Sequence, residues 1–199
     1  MIRDLIIKNR SYRRFDESFI ISKEILRELV DLARLPASAA NRQPLKYFLS
    51  CDRQSNAIVF ETLAWAGYLP EWPGPEEGER PSAYILLLGD KDISASYDYD
   101  NGIAAQTILL GAVDKGLGGC MIASVQRVKL REKLNIPERY EILLAIALGK
   151  PIETVIMEAV KADGDIKYWH DSQGRHHVPK RSLDEVIINQ RSCHESRRQ

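Results

Sequence analysis

At 199 residues and 44% hydrophobic content, the chain has the length of one domain and enough apolar matter to bury a core. Its 28 basic and 28 acidic residues cancel to a formal net charge of zero, which excludes the basic excess of a nucleic-acid binder and leaves recognition to local clusters. The charged start Met1-Ile2-Arg3-Asp4 lacks a signal peptide's apolar run, and the longest apolar stretch, Ile142 to Leu148, is too short for a membrane span, so a cytoplasmic protein with no membrane partner is expected.

Ile2 to Lys8 reads as a short helix leading into a basic turn. Ser22 is placed to cap a second helix, whose apolar stripe is Ile25, Leu26, Leu29, Val30 and Ala33 and which ends before Pro36. Lys46 to Cys51 reads as a strand and Ala57 to Ala66 as a helix. Residues 67–81 carry four prolines and form a loop. Ala83 to Leu88 is a buried strand. Gly102 to Val113 is apolar almost all round, a helix covered on most faces. Gly119 to Ala123 is a short strand, Arg127 to Leu134 a helix and Glu141 to Leu148 a further buried strand. Residues 161–178 are polar and turn-rich, Leu183 to Ile188 is apolar again, and 190–199 form a polar, mobile tail. Apolar strands of this kind need cover on both faces. The expected architecture is α+β, three layers of the α/β/α kind around a mixed sheet, in a single domain spanning 1–189.

Four segments hold candidate chemistry, each with a plainer alternative. Arg10-Ser11-Tyr12-Arg13-Arg14 gathers guanidiniums and a hydroxyl that suit a phosphate, with Arg14 expected to face water, or forms a solvated basic turn. In Pro36-Ala37-Ser38-Ala39-Ala40-Asn41-Arg42-Gln43-Pro44, Asn41 and Gln43 can each donate and accept, which suits the edge of a heterocycle; an ordinary turn would use the same residues. Gly116-Leu117-Gly118-Gly119-Cys120 has the wrong spacing for a dinucleotide fingerprint. Its glycines let backbone approach a flat ligand, and Gly116 also suits a helix C-cap. Lys180 and Arg181 could close a phosphate site from the other side, or be a surface pair.

Taken in order, Arg10-Ser11-x-Arg13, Pro36-x-Ser38-x-x-Asn41-x-Gln43-Pro44, Gly116-Leu117-Gly118-Gly119-Cys120, Leu148-Gly149-Lys150-Pro151 and the late Lys180-Arg181 before Leu183-Asp184-Glu185-Val186 resemble the nitroreductase family of flavoproteins. The resemblance runs from residue 1 to about 189. It implies the nitroreductase-like fold with a mainly antiparallel sheet, and a homodimer with FMN at the subunit interface. Arg10, Ser11 and Arg13 would hold the FMN phosphate and ribityl chain, with Lys180 or, preferably, Arg181 closing the site. Ser38, Asn41 and Gln43 would lie beside the isoalloxazine ring, in service of the partner subunit. Met121, Ile122 and Ala123 would cover the flavin with backbone. Leu45 and Ala123 depart from relatives that carry Trp and an acidic residue there, which removes a side-chain role at Ala123 but leaves its N–H.

The implied activity is FMN-dependent oxidoreduction, with NADH or NADPH as donor and a small-molecule acceptor, a nitroaromatic, quinone or similar flat compound, reduced by a ping-pong cycle. No catalytic acid is expected, since the cofactor carries the electrons. Trp65, Tyr68 and Trp72 are candidate platforms for the acceptor, or pack the proline-rich loop. The same fold also supports a flavin-binding carrier or sensor, a dehalogenase, or a flavin-fragmenting enzyme. His170, His176 and His177 read as solvated turn residues, because adjacent histidines converge poorly on one ion; no metal is expected.

Overall fold

A computed structural model describes residues 1–188; the 190–199 tail and Cys193 lie outside the described residues. The chain gathers into two compact units, Met1–Glu153 and a second from Thr154 onward.

The first unit is built on one strand buried along its whole length and a second buried through its middle. Strands β3 (Ala83–Asp90) and β5 (Tyr140–Pro151) pair antiparallel, and β2 (Leu45–Ser50) pairs with the other edge of β3. Alternate residues of a strand point to opposite faces. Ala83, Ile85 and Leu87 therefore enter a core with α2 (Lys23–Ala33) and α4 (Asp98–Asp114), while Tyr84, Leu86 and Leu88 enter a second core with α3 (Arg53–Phe60) and α5 (Arg127–Leu134). This is the three-layer arrangement. Short β1 (Phe15–Asp16) and β4 (Gly118–Ile122) complete the sheet, both antiparallel to β5. Gly111 sets the spacing of α2 and α4, since a Cβ there would stand 2.7 Å from Leu32.

Local signals explain the boundaries. The Ser22 hydroxyl accepts from the Ile25 N–H, as a helix cap should. Helix α1 (Ile2–Lys8) and α5 occupy the expected residues. Helix α3 starts four residues before the expected Ala57, because the Asp52 carboxylate accepts from the Ser55 N–H at 2.8 Å. It also stops earlier, at Phe60. Leu63 leaves the helix to bridge Val125, and the Ala64 N–H donates to the Ser124 carbonyl at 2.9 Å. A short apolar run does not distinguish a helix from such an extended pairing. Helix α4 is longer than expected, and its outward side, with Ile103 39% exposed, is open in the single chain. Gly116 ends it: at φ +73° it donates to the Val113 carbonyl while Leu117 reaches back to Ala112.

In the second unit, β6 (Val155–Ala159) runs parallel to β8 (His176–Lys180), and β7 (Trp169–His170) pairs antiparallel with β8. A short helix α6 (Leu183–Val186) follows, capped by Ser182. Among the described residues no helix is long and apolar enough to cross a membrane.

Candidate functional site

The basic turn is held against strand β4. Asn9 leaves α1 in extended backbone, Ser11 bridges Gly119, and the Tyr12 N–H donates to the Gly119 carbonyl at 3.0 Å. Gly118 permits this approach, since a Cβ there would lie 2.6 Å from the Tyr12 ring. The Arg10 guanidinium and the Tyr12 hydroxyl donate to the Ile6 and Lys8 carbonyls, giving partners to the open end of α1.

Arg13 and Arg14 are sorted by two carboxylates. One oxygen of Glu153 accepts from both the Arg13 and Arg14 N–H groups, the latter at 3.1 Å. Burial pushes the Glu153 carboxyl above its ordinary range, against the hydrogen bonds that favour its charge. The Arg14 guanidinium forms two hydrogen bonds with Glu79, which hold the Glu79 carboxyl below its ordinary value. Arg14 was expected to face water; it is instead the partner of Glu79.

Arg13 lines a cavity of about 130 Å³ with Trp65, Met121, Ile122 and Ala123. The 62–64 to 124–126 pairing brings Trp65 to the exit of β4, and Gly74, at φ +123°, presses on its indole. Cys120 lies in the same wall; burial pushes its thiol up while nearby Arg13 draws it down. Thus three segments far apart in sequence, carrying Arg13, Trp65 and Cys120–Ala123, meet in one place.

Ser38, Asn41 and Gln43 form a second group. The Ser38 hydroxyl donates to buried Asp100 at 2.6 Å and accepts from the Gln43 N–H at 2.9 Å, and the Ala39 N–H donates to Asp100 at 2.8 Å. Ser38 therefore builds the loop. The Gln43 side-chain amide donates to Asn41 at 3.1 Å. Ala40, Asn41 and Gln43 all lie at positive φ, near +50°, a conformation that L-residues hold only under tertiary constraint. These residues do not line the Arg13 cavity within one chain; Ser38 and Gln43 line a separate cleft against α4.

Tyr68 is 48% exposed and Trp72 half-buried in the 67–81 loop, and neither lines the Arg13 cavity. Lys180 closes β8 in the second unit, and Arg181 follows it with a guanidinium nitrogen 3.5 Å from Glu185. His177 stacks on Trp169 at 4.2 Å, its ring nitrogens 3.0 Å from Glu158 and 3.2 Å from Asp171. Three residues escaped sequence reasoning: Glu153, Asp100 and Gly74. Glu153 lies two residues beyond the end of Leu148-Gly149-Lys150-Pro151, the one signal that marked its neighbourhood.

A three-layer sheet with a basic turn laid on a glycine-bearing strand is an arrangement that can be set beside known proteins. The nitroreductase family model matches residues 6–150, and the chain belongs to the nitroreductase family. A protein of Archaeoglobus fulgidus named "Putative NADH dehydrogenase/NAD(P)H nitroreductase" is 29% identical over 156 residues, covering 74% of this chain and 83% of its own length. Among solved structures, a nitroreductase family protein of Streptococcus pneumoniae TIGR4 superposes with a TM-score of 0.67 at 19% identity, covering 95% of this chain and 100% of that one. An FMN-dependent nitroreductase of Clostridium difficile R20291 does so with a TM-score of 0.63 at 22% identity, covering 86% and 99%.

Proposed function

We propose that the protein is a cytoplasmic FMN-dependent oxidoreductase that takes hydride from NADH or NADPH and passes it to a flat acceptor such as a quinone or nitroaromatic. The observation that carries this reading is the convergence of Arg13 with the Met121–Ala123 backbone and Trp65 around one cavity. The fit to FMN is tested by that donor set. Arg13 and Ser11 offer N–H and O–H donors to a phosphate, Gly118 lets the basic turn lie close against the start of β4, and Trp65 offers an apolar wall.

The cavity measures about 130 Å³, whereas cofactor sites occupy roughly 300–1,000 Å³. Part of the site must come from elsewhere. A homodimer supplies it, with Ser38, Asn41 and Gln43 of each subunit serving the other's FMN, and Lys180 or Arg181 closing the phosphate end. The open side of α4, where Ile103 is exposed, suits such an interface.

Bound FMN supplies the hydride-accepting ring. The chain does the rest: Arg10, Arg13 and Ser11 fix the phosphate, the Met121–Ala123 backbone lies along the ring, and Trp65 limits what stacks beside it. With one face for both substrates, donor must leave before acceptor enters. The test is direct. The purified protein should release FMN on heating, its yellow colour should bleach with a nicotinamide alone and return with a quinone, and double-reciprocal plots should be parallel. Colourless protein that takes up no FMN overturns the reading.

A further inference from the structure

A second cavity, of about 370 Å³, shares no residue with the first and is lined by Arg80, Phe60, Phe19 and Cys51 among others. Its volume lies within the roughly 300–1,000 Å³ of small-molecule pockets. The Arg80 guanidinium lies over the Phe60 ring at 4.7 Å, its Nε buried without a hydrogen-bond partner. Two nearby carboxylates have other partners. Glu79, beside it in sequence, binds Arg14. Glu17 accepts the Gly78 N–H at 2.6 Å and the Arg80 backbone N–H at 3.4 Å. Arg80 is thus a cation fixed in place by an aromatic face, at the wall of a cavity, with no ion pair among the described residues.

We infer that this cavity binds a small organic monocarboxylate with an apolar or aromatic body. The guanidinium edge takes the carboxylate in paired hydrogen bonds, and Phe60 and Phe19 take the body. Charge decides against a phosphate. Glu17 and Glu77 line the cavity together with Arg80 and Arg53, so the lining is neutral, and a dianion would meet two carboxylates. The inference is independent of the FMN reading.

Cys51 supplies the readout, because it lines the same cavity and is partly exposed, whereas Cys120 is buried. The purified full-length protein carrying Cys193→Ser is alkylated with iodoacetamide in the presence of benzoate, hexanoate, benzamide or inorganic phosphate. Benzoate or hexanoate should slow alkylation of Cys51 in a saturable way and leave the visible absorption of the protein unchanged. Benzamide and phosphate should not protect. Arg80→Met should weaken the protection about tenfold or more, the loss expected for a charge-assisted pair, and Arg80→Lys, which keeps the charge but not the fork, should fall between. Unchanged circular dichroism in either variant shows that it has folded. Protection by benzamide equal to that by benzoate, protection that survives in both Arg80 variants, or no protection by either carboxylate overturns the inference.

Discussion

Arg13 and Arg14 are chain neighbours with opposite fates, and single substitutions should separate them. The Arg14 guanidinium is spent on Glu79, while Arg13 lines the proposed cofactor cavity. Arg13→Ala should weaken FMN binding by about 1.5–3 kcal/mol, tenfold or more, the scale of a charge-assisted hydrogen bond. Arg10→Ala should also weaken it more than Arg14→Ala does; equal affinities in titrations of the apoprotein would show the turn to be misassigned. Glu153 holds both backbone N–H groups of this pair. Glu153→Ala leaves two donors without an acceptor, at about 1–3 kcal/mol each. Glu153→Gln keeps an acceptor oxygen, so its ratio of FMN to riboflavin affinity should stay near wild type while that of the alanine variant falls. Its raised carboxyl pKa means that folding favours the protonated form, a contribution present below the unfolded value and lost as pH rises through the folded one. The glutamine variant should therefore gain melting temperature over wild type at neutral pH and lose that gain in acid. A gain independent of pH would refute the assignment.

At the scale of elements, the sheet was legible where burial on two faces writes a continuous apolar run, as in β3 and β5, and where a cap is spelled out, as at Ser22. It was illegible where pairing depends on a distant segment. Nothing in Thr62-Leu63-Ala64 announces that it meets Ser124-Val125-Gln126, so α3 was drawn too far, and the polar strand β8 hid among turn residues. The same reason concealed Glu153, a lone carboxylate whose partners lie 140 and 139 residues away. Arg13 and Met121–Ala123 were readable because the family order marks them, whereas their meeting with Trp65 was not. Strand β8 also carries a pH response. Hydrogen bonding to Glu158, then to Asp171, outweighs burial and raises His177 above its ordinary value. Stability from such a group is complete below the unfolded value of about 6.5 and is lost as pH rises through the folded one. Protection factors of the β6 and β8 amides, corrected for the intrinsic rise of exchange with pH, should fall from neutral to alkaline pH, and His177→Phe, which retains the stack on Trp169, should flatten that trend. An unchanged slope would assign the response to another group.

For the whole molecule, the sharpest expectation concerns its mass. Helix α1 buries none of its residues and leaves Ile2 63% and Ile6 48% exposed, while α4 shows Ile103 on its open side. Apolar surface of this kind suits the proposed contact between two copies of the chain. Light scattering should give twice the 22.6 kDa chain mass at micromolar concentration. Ile103→Asp should shift it toward the single chain and lower FMN content with it, because the site is proposed to be shared. A dimer that dissociates with FMN fully retained would place the whole site within one subunit.

Gly74 has a reach that its own position conceals. A Cβ there would strike the Trp65 indole at 2.7 Å, so this bare α-carbon works as a backstop, setting how far the indole leans over the cavity. On the proposed function, the thickness of ring admitted beside Trp65 would then be set in part by a glycine that does not itself line the cavity. Drift in the 67–81 loop can retune selectivity without altering one lining side chain, and comparisons of lining residues alone would miss it.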